Sequence, residues 1–221
     1  MTQTLTAQFD ALHAERERTW EPAKLAKNVA QRRALVDAFD PSKVVKVGDR
    51  IDRFALDLST GGTVTLDDLT AEGPVALVFF RFAGCPACNI ALPHYDRTLA
   101  PALRDAGIRF VAVSPHLPEK GLDAIRERHG LSYEVASDRN NALAKQLGIA
   151  FVPVDNAPPP GGGEWIGSLT GTETGELPQP AIIVIDQDHK VRFVDVSPDW
   201  LRRTEADVVE AALGLRETVV A

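Results

Sequence analysis

Cysteine is nearly absent from this chain, with only two among 221 residues. Two thiols cannot supply the four ligands of a structural zinc site. No second cysteine pair or His-x-His cluster stands nearby, and His94 and His116 are isolated. Long apolar runs are missing as well. The longest, Val75 to Phe82, is strand-sized and far short of the roughly 18 residues a membrane helix requires. A surplus of positive charge is also lacking. Lys plus Arg total 24 against 31 Asp plus Glu, and the net charge of -7 argues against nucleic-acid or anionic-membrane partners. The stretch from Met1 to Arg18 places Asp10, Glu15 and Glu17 among its basic residues and has no apolar centre of signal-peptide length, so the expected location is cytoplasmic.

What remains is an ordinary globular composition, 44% apolar, able to bury a real core. Leu5 to Phe39 reads as two helices. Leu5, Phe9, Leu12 and Arg16 share one face of the first, and Pro22 opens a second that contains Leu25, Val29 and Leu35. Residues 1–45 are therefore expected to form an N-terminal helical extension, and residues 46–221 the main domain. In that domain Phe54, Leu56 and Leu58 alternate with polar neighbours before a turn at Gly61-Gly62. Val75 to Phe80 reads as a strand buried on both faces. Arg109 to Ser114 should lie parallel to it after a crossover helix. Glu119 to Arg128 reads as an amphipathic helix, Tyr133 to Ser137 as a short strand, and Asn141 to Leu147 as a short helix stopped by Gly148. Phe151 to Thr174, with its Pro-Pro-Pro-Gly-Gly-Gly tract at 158–163, reads as a long loop, either a lid or a tolerated insertion. Ala181 to Ile185 and Val191 to Val196 read as a hairpin. A closing helix is expected from Thr204 to about Leu213. The pattern defines an α/β sandwich with a mixed sheet.

The chemistry concentrates at Cys85-Pro86-Ala87-Cys88, between a buried strand and a helix. Pro86 suits the first helical position, where its missing N–H costs little, so Cys85 falls at the helix N-terminus. There the free N–H groups and the positive end of the macrodipole favour a thiolate, the reactive form of cysteine. Cys88, three residues on, lies on the same face, within reach of a disulfide. Cys85 is thus the expected nucleophile and Cys88 the resolving thiol, attacking either a mixed disulfide or a sulfenic acid. Pro93 is expected to kink the helix.

Other candidates are weaker. Arg81 either adds positive charge near the thiolate or is a solvated arginine at a strand end. His116 follows the neighbouring strand at the sheet edge where sites form, as a proton donor or a plain loop residue. Pro178 and Pro180 precede a strand and would leave backbone groups exposed to a bound disulfide, with a cis bond an option at that point. Trp165, Trp200 and Tyr95 line a groove or pack in the core.

Five stretches, VGDRIDRFALDLSTGGTVTLDDL, GPVALVFFRFAGCPACNIALPHY, VAVSPHLPEK, SDRNNALAKQLGI and LPQPAIIVIDQDHKVRFVDVSPDWLRRTEADVVEAALGL, occur in this order. Together they resemble the peroxiredoxin-like branch of the alkyl hydroperoxide reductase and thiol-specific antioxidant (AhpC/TSA) family, in the thioredoxin superfamily. The resemblance spans about Lys46 to Leu215 and extends to the helical N-terminus. It implies a thioredoxin-like fold, Cys85 attacking, Cys88 resolving, and Pro180 facing the pair across the site. It also implies peroxide reduction with no bound cofactor, driven by an external dithiol such as thioredoxin. The chain departs from true peroxiredoxins at Phe82, where they carry Thr or Ser, and at Pro180, where they carry Arg. From the peroxiredoxin-like branch it departs at Gly84, where Trp is usual, and at Pro86-Ala87, where Tyr is usual. These departures leave the redox chemistry intact and the substrate open. A hydroperoxide reductase, a disulfide oxidoreductase and a redox-switched interaction module are three readings. The sequence leaves the oligomeric state open, with a homodimer among the options.

Overall fold

A computed structural model describes residues 3–153, 158 and 165–215. Two helices open the chain, α1 (Leu5–Thr19) and α2 (Pro22–Ala38), as the apolar spacing indicates. The Thr4 hydroxyl caps α1 by accepting from the Ala7 N–H, and Pro22 begins α2. Next come β1 (Ala55–Leu58), β2 (Thr63–Thr65), α3 (Leu66–Thr70), β3 (Val75–Phe79), α4 (Pro86–Thr98), α5 (Ala100–Asp105) and β4 (Arg109–Ser114). They are followed by α6 (Ala124–His129), β5 (Glu134–Ser137), α7 (Ala142–Gln146), β6 (Ala150–Phe151) and α8 (Ile166–Thr170). The chain closes with β7 (Leu177–Pro178), β8 (Ala181–Ile185), β9 (Val191–Val196) and α9 (Ala206–Leu213).

The main sheet runs in the order β2-β1-β5-β4-β3-β8-β9. The central strands β3, β4 and β5 are parallel, while β8 pairs antiparallel to β3 and β1 antiparallel to β5. This mixed sheet with helices on both faces is the expected α/β, thioredoxin-like architecture. The two-residue side-chain period of β3 shows why both faces must be covered. Ala76 and Val78 enter one hydrophobic cluster, with Leu5 and Phe9 of α1 and Leu92 of α4. Val75, Leu77 and Phe79 enter the other, with Leu66 of α3 and Leu143 of α7. The N-terminal helices therefore share their core with the sheet.

Two local expectations are corrected. Glu119 to Arg128 is not one helix. A 3-10 turn at Pro118–Lys120 ends on Gly121, whose left-handed φ of 89° breaks the helical path before α6 begins. The stretch from Phe151 to Thr174 is not loop throughout, because α8 forms within it and stops at left-handed Gly171. The Pro-Gly tract lies outside the described residues, Pro158 excepted. The Gln179–Pro180 bond, whose isomer the sequence leaves open, is trans. Backbone hydrogen bonds hold both sides of it, the Gln179 N–H donating to Ile149 at 2.7 Å and Ser197 donating to the Pro180 carbonyl at 2.7 Å. Pro93 lies inside α4, which continues to Thr98.

Candidate active site

β3 ends against β4, with the Phe80 N–H donating to the Val113 carbonyl, and the chain then turns through Arg81 to Gly84 into α4. Cys85 is the N-cap residue, extended at φ -70° and ψ 119°, and Pro86 holds the first helical position. Asn89 makes the first intrahelical bond, donating to the Cys85 carbonyl at 3.0 Å. Its side-chain amide ties the Ala83 and Cys85 carbonyls at 2.8 and 2.9 Å. The turn that presents Cys85 is thus fixed from both sides.

Both cysteines are unbonded thiols and both are buried, Cys85 at 2% and Cys88 at 0% exposure. The pair is chemically split. The Cys88 thiol hydrogen-bonds to the Cys85 sulfur, and with the positive charges of Arg81 and Arg203 this outweighs burial, so Cys85 is held down to about 5. Burial, together with the adjacent Cys85 charge, pushes Cys88 well above the ordinary thiol range. One sulfur is therefore an anion at neutral pH, and its neighbour keeps a proton to donate.

Arg81 comes from the turn, as the sequence suggests, and is not a freely solvated strand-end residue. Its guanidinium stacks on Trp200 at 4.3 Å, and its Nε is buried without a hydrogen-bond partner among the described residues. His116 reaches the same edge, but both ring nitrogens are engaged with backbone. Nδ1 accepts from the Ala83 N–H at 3.2 Å and Nε2 faces the Lys120 carbonyl at 3.0 Å. The ring therefore holds the cysteine turn in place. Pro180 sits one residue before Ala181, which pairs with Phe79, so it lies at the C-terminal end of β3 from which the turn departs. Tyr95 is core, its hydroxyl donating to the Thr204 carbonyl at 2.7 Å, and Trp200 is buried at 4% exposure. Trp165 is the half-buried N-cap residue of α8.

Two residues of the site are not foreseen from sequence. Arg203 places Nη2 at 4.0 Å from the Cys88 sulfur and lies 5.5 Å from the Phe9 ring centre. Arg16 of α1 is buried at 7% exposure and stacks on Trp20 at 4.8 Å. Burial lowers its pKa from the ordinary guanidinium value, the Cys85 charge opposing this and the Arg32 and Arg81 charges adding to it. For Arg203 the sequence offers no signal. For Arg16 there is one, since an arginine continues the apolar face of Leu5, Phe9 and Leu12.

The site is covered by a cap made of α1, α2 and the segment 199–205. Arg32 of α2 donates twice to Asp199, at 2.7 and 2.6 Å. The Glu205 carboxylate accepts from the first N–H groups of α1, Leu5 at 3.0 Å and Thr6 at 2.8 Å. A hollow of about 740 Å³ lies at the opposite end of β3 and β4, near Pro74 and Arg109, and is separate from the thiols. No group of three or more His, Cys, Asp or Glu among the described residues is placed to hold a metal. No helix among them is long and apolar enough to cross a membrane.

A parallel strand, a thiolate at the following helix N-terminus and a second thiol one turn on define a thioredoxin-fold dithiol protein. Residues 47–194 match the profile of the AhpC/TSA family, and the chain belongs to that family. Among solved structures it resembles the peroxidoxin BcpB from Mycobacterium tuberculosis, with a TM-score of 0.59 and 25% identity over 79% of this chain and 99% of that one. It shares its fold with a peroxiredoxin-like protein from Aquifex aeolicus, with a TM-score of 0.58 and 19% identity, covering 78% of this chain and 89% of that one. Among characterised sequences it is 26% identical over 117 residues to the thiol-disulfide oxidoreductase ResA of Halalkalibacterium halodurans, matching 52% of this chain and 64% of that protein. The match thus spans a little under two thirds of that relative's length.

Proposed function

We propose that this chain is a cytoplasmic thiol oxidoreductase that reduces hydroperoxides through a Cys85/Cys88 dithiol-disulfide cycle. The observation that carries this reading is the split between the thiols, Cys85 lowered to about 5 and Cys88 raised. The Cys85 thiolate attacks the terminal peroxide oxygen, the O–O bond breaks, and the departing oxygen takes a proton to leave as an alcohol or water. Cys85 becomes a sulfenic acid, oxidised by two electrons. The Cys88 sulfur then attacks Cys85 and forms the disulfide, while the Cys88 proton and the sulfenic hydroxyl leave as water. An external dithiol of thioredoxin type returns the two electrons, and no bound cofactor takes part. The enclosure of Cys85, at 2% exposure, favours a small oxidant over a protein disulfide, which would have to displace the whole cap.

A second reading, reduction or formation of disulfides, is favoured by Phe82 and Pro180, which offer no side-chain hydrogen bond to a peroxide. In that case Cys85 attacks a sulfur instead, and Cys88 releases the bound thiol.

The second-order rate of oxidation of the reduced protein by hydrogen peroxide, followed by tryptophan fluorescence, separates the two. A rate orders of magnitude above that of a simple thiolate, abolished in Cys85→Ser, supports the peroxidase. In Cys88→Ser that first step should survive without disulfide formation. A free-thiolate rate accompanied by rapid reduction of small disulfides would replace the first reading with the second.

A further inference from the structure

The Arg203 guanidinium touches the cysteine pair and the charges of Arg81 and Arg16 act on Cys85, and two of the three carry donors that meet no acceptor among the described residues. Arg203 lies against Cys88 and Phe9, Arg81 stacks on Trp200, and Arg16 follows Phe9 by two turns on the inward face of α1. Arg16 Nη1 and Arg81 Nε are both buried with no hydrogen-bond partner among the described residues, and Arg16 as a whole is buried at 7% exposure. Among the described residues, three carboxylates at the cap are committed elsewhere, Asp199 to Arg32, Asp10 to Arg202 and Glu205 to the start of α1, while the Glu15 charge favours that of Arg16. One thiolate faces three cations. A further anion would balance them and give the stranded N–H groups an acceptor.

We propose that Arg16, Arg81 and Arg203 form an anion subsite beside Cys85 that takes the carboxylate of a small oxidant, so that the preferred substrates are carboxylate-bearing hydroperoxides or disulfides. This rests on the thiol-oxidoreductase reading and adds to it the charge of the substrate. A carboxylate is a fitting ligand because its two oxygens accept from planar guanidinium donors in a fork. The rings of Phe9, Trp20 and Trp200 wall the arginines, which suits a short apolar chain between carboxylate and reacting atom. Arg16 belongs to the helix that caps the thiols. The N-terminal extension, through Arg16, thereby becomes a specificity-determining part of the site.

The test uses three disulfides of similar size and different charge: 3,3'-dithiodipropionate, bis(2-hydroxyethyl) disulfide and cystamine. In each case Cys85 forms a mixed disulfide and expels one thiolate. Cys88 then closes the internal disulfide and its proton leaves with the second thiol, so the substrate gains two electrons. The reduced full-length protein should react with the dianion about tenfold faster than with the neutral compound, and with the dication slowest. A tertiary alkyl hydroperoxide with and without a terminal carboxylate forms the parallel arm, and the arm that shows the preference identifies the source of the carboxylate. Arg16→Gln should lower the anionic-to-neutral rate ratio by about tenfold, with Arg16→Lys restoring part of it. Loss of thiolate activation would slow every oxidant alike and leave the ratio unchanged. Should Arg16→Gln fail to fold, the charge series on the unsubstituted protein decides alone. Equal rates across the charge series would overturn the subsite even with full redox activity. The thioether 3,3'-thiodipropionate, which cannot exchange, gives a reading free of chemistry. Saturable calorimetric binding to the Cys85→Ser, Cys88→Ser protein, weakened in Arg16→Gln, would sustain the subsite even if no oxidant reacted and the proposed function fell. Absence of binding would overturn it.

Discussion

The guanidinium Nη2 of Arg203 stands 4.0 Å from the sulfur of Cys88, joining the segment before α9 to the first turn of α4. That single contact brings the C-terminal part of the chain to the dithiol. The same guanidinium is held from behind, Nη1 donating to the carbonyls of Trp200 and Arg202. Replacing Arg203 by Met removes a charge that stabilises the Cys85 thiolate. The inflection in its reaction with iodoacetamide should move upward by about one pH unit. An unchanged inflection would show that the Arg203 charge does not reach Cys85.

The parent protein should show that alkylation inflection at about 5, well below an ordinary thiol, and Cys85→Ser should abolish it. Cys88 alone should stay unreactive through neutral pH, because burial and the neighbouring sulfur push it upward. Mass-resolved alkylation of the reduced protein between pH 4 and pH 8 reads both thiols at once.

The lowered Cys85 value is also a statement about stability. A group whose folded value lies below its unfolded one contributes stability that is complete above the unfolded pKa, about 8.5 for a thiol, and fades as pH falls toward 5. The urea midpoint of the reduced parent, relative to Cys85→Ser, should therefore rise between pH 5 and about pH 8. Above that range the raised Cys88 contributes the opposite slope.

The cap should loosen when its ion pair is broken. Burial opposes the charge of Asp199, but the Arg32 hydrogen bonds outweigh it and hold the carboxyl below the usual range. Its stabilising contribution is present above the unfolded value of about 3.9 and is lost as pH falls through the lower folded value. Asp199→Asn should cost about 1–3 kcal/mol, since a partly buried guanidinium loses its charged partner. Hydrogen exchange should quicken in α1 and α2, and Cys85 should become more accessible to iodoacetamide at pH 7. Protection equal to the parent's would show that the cap is held by its apolar contacts alone.

His116→Asn tests whether that ring supports the turn or moves a proton. Its nitrogens are engaged with the Ala83 N–H and the Lys120 carbonyl. The expected outcome is a loss of about 1–2 kcal/mol of stability with the Cys85 inflection retained. A second inflection that disappears with the substitution would instead assign it proton transfer.

Where the signal is local, the fold was legible in the sequence. The unbroken apolar run from Val75 to Phe79 can only be a strand covered on both faces, and the clusters on either side of β3 cover it. Misreadings arose where one residue's backbone overrides a pattern. Left-handed Gly121 interrupts a sequence that is amphipathic on both sides of it. Helix α8 is five residues long, too short for periodicity to reveal beside a Pro-Gly tract.

The sequence by itself determined the reactive pair. Cys85, Pro86 and Cys88 occupy an N-cap, a first helical position and a third, relations fixed by helix geometry over four residues. Only the tertiary structure decided what surrounds the thiolate. Arg16 and Arg203 approach it from opposite ends of the chain through the packing of α1, the 199–205 segment and α4. Such an approach depends on which surfaces bury each other, and helical spacing carries no information about charges that meet only after folding. The chemistry available was therefore written locally, while the field that tunes it, and the cap that limits access to it, came from long-range packing.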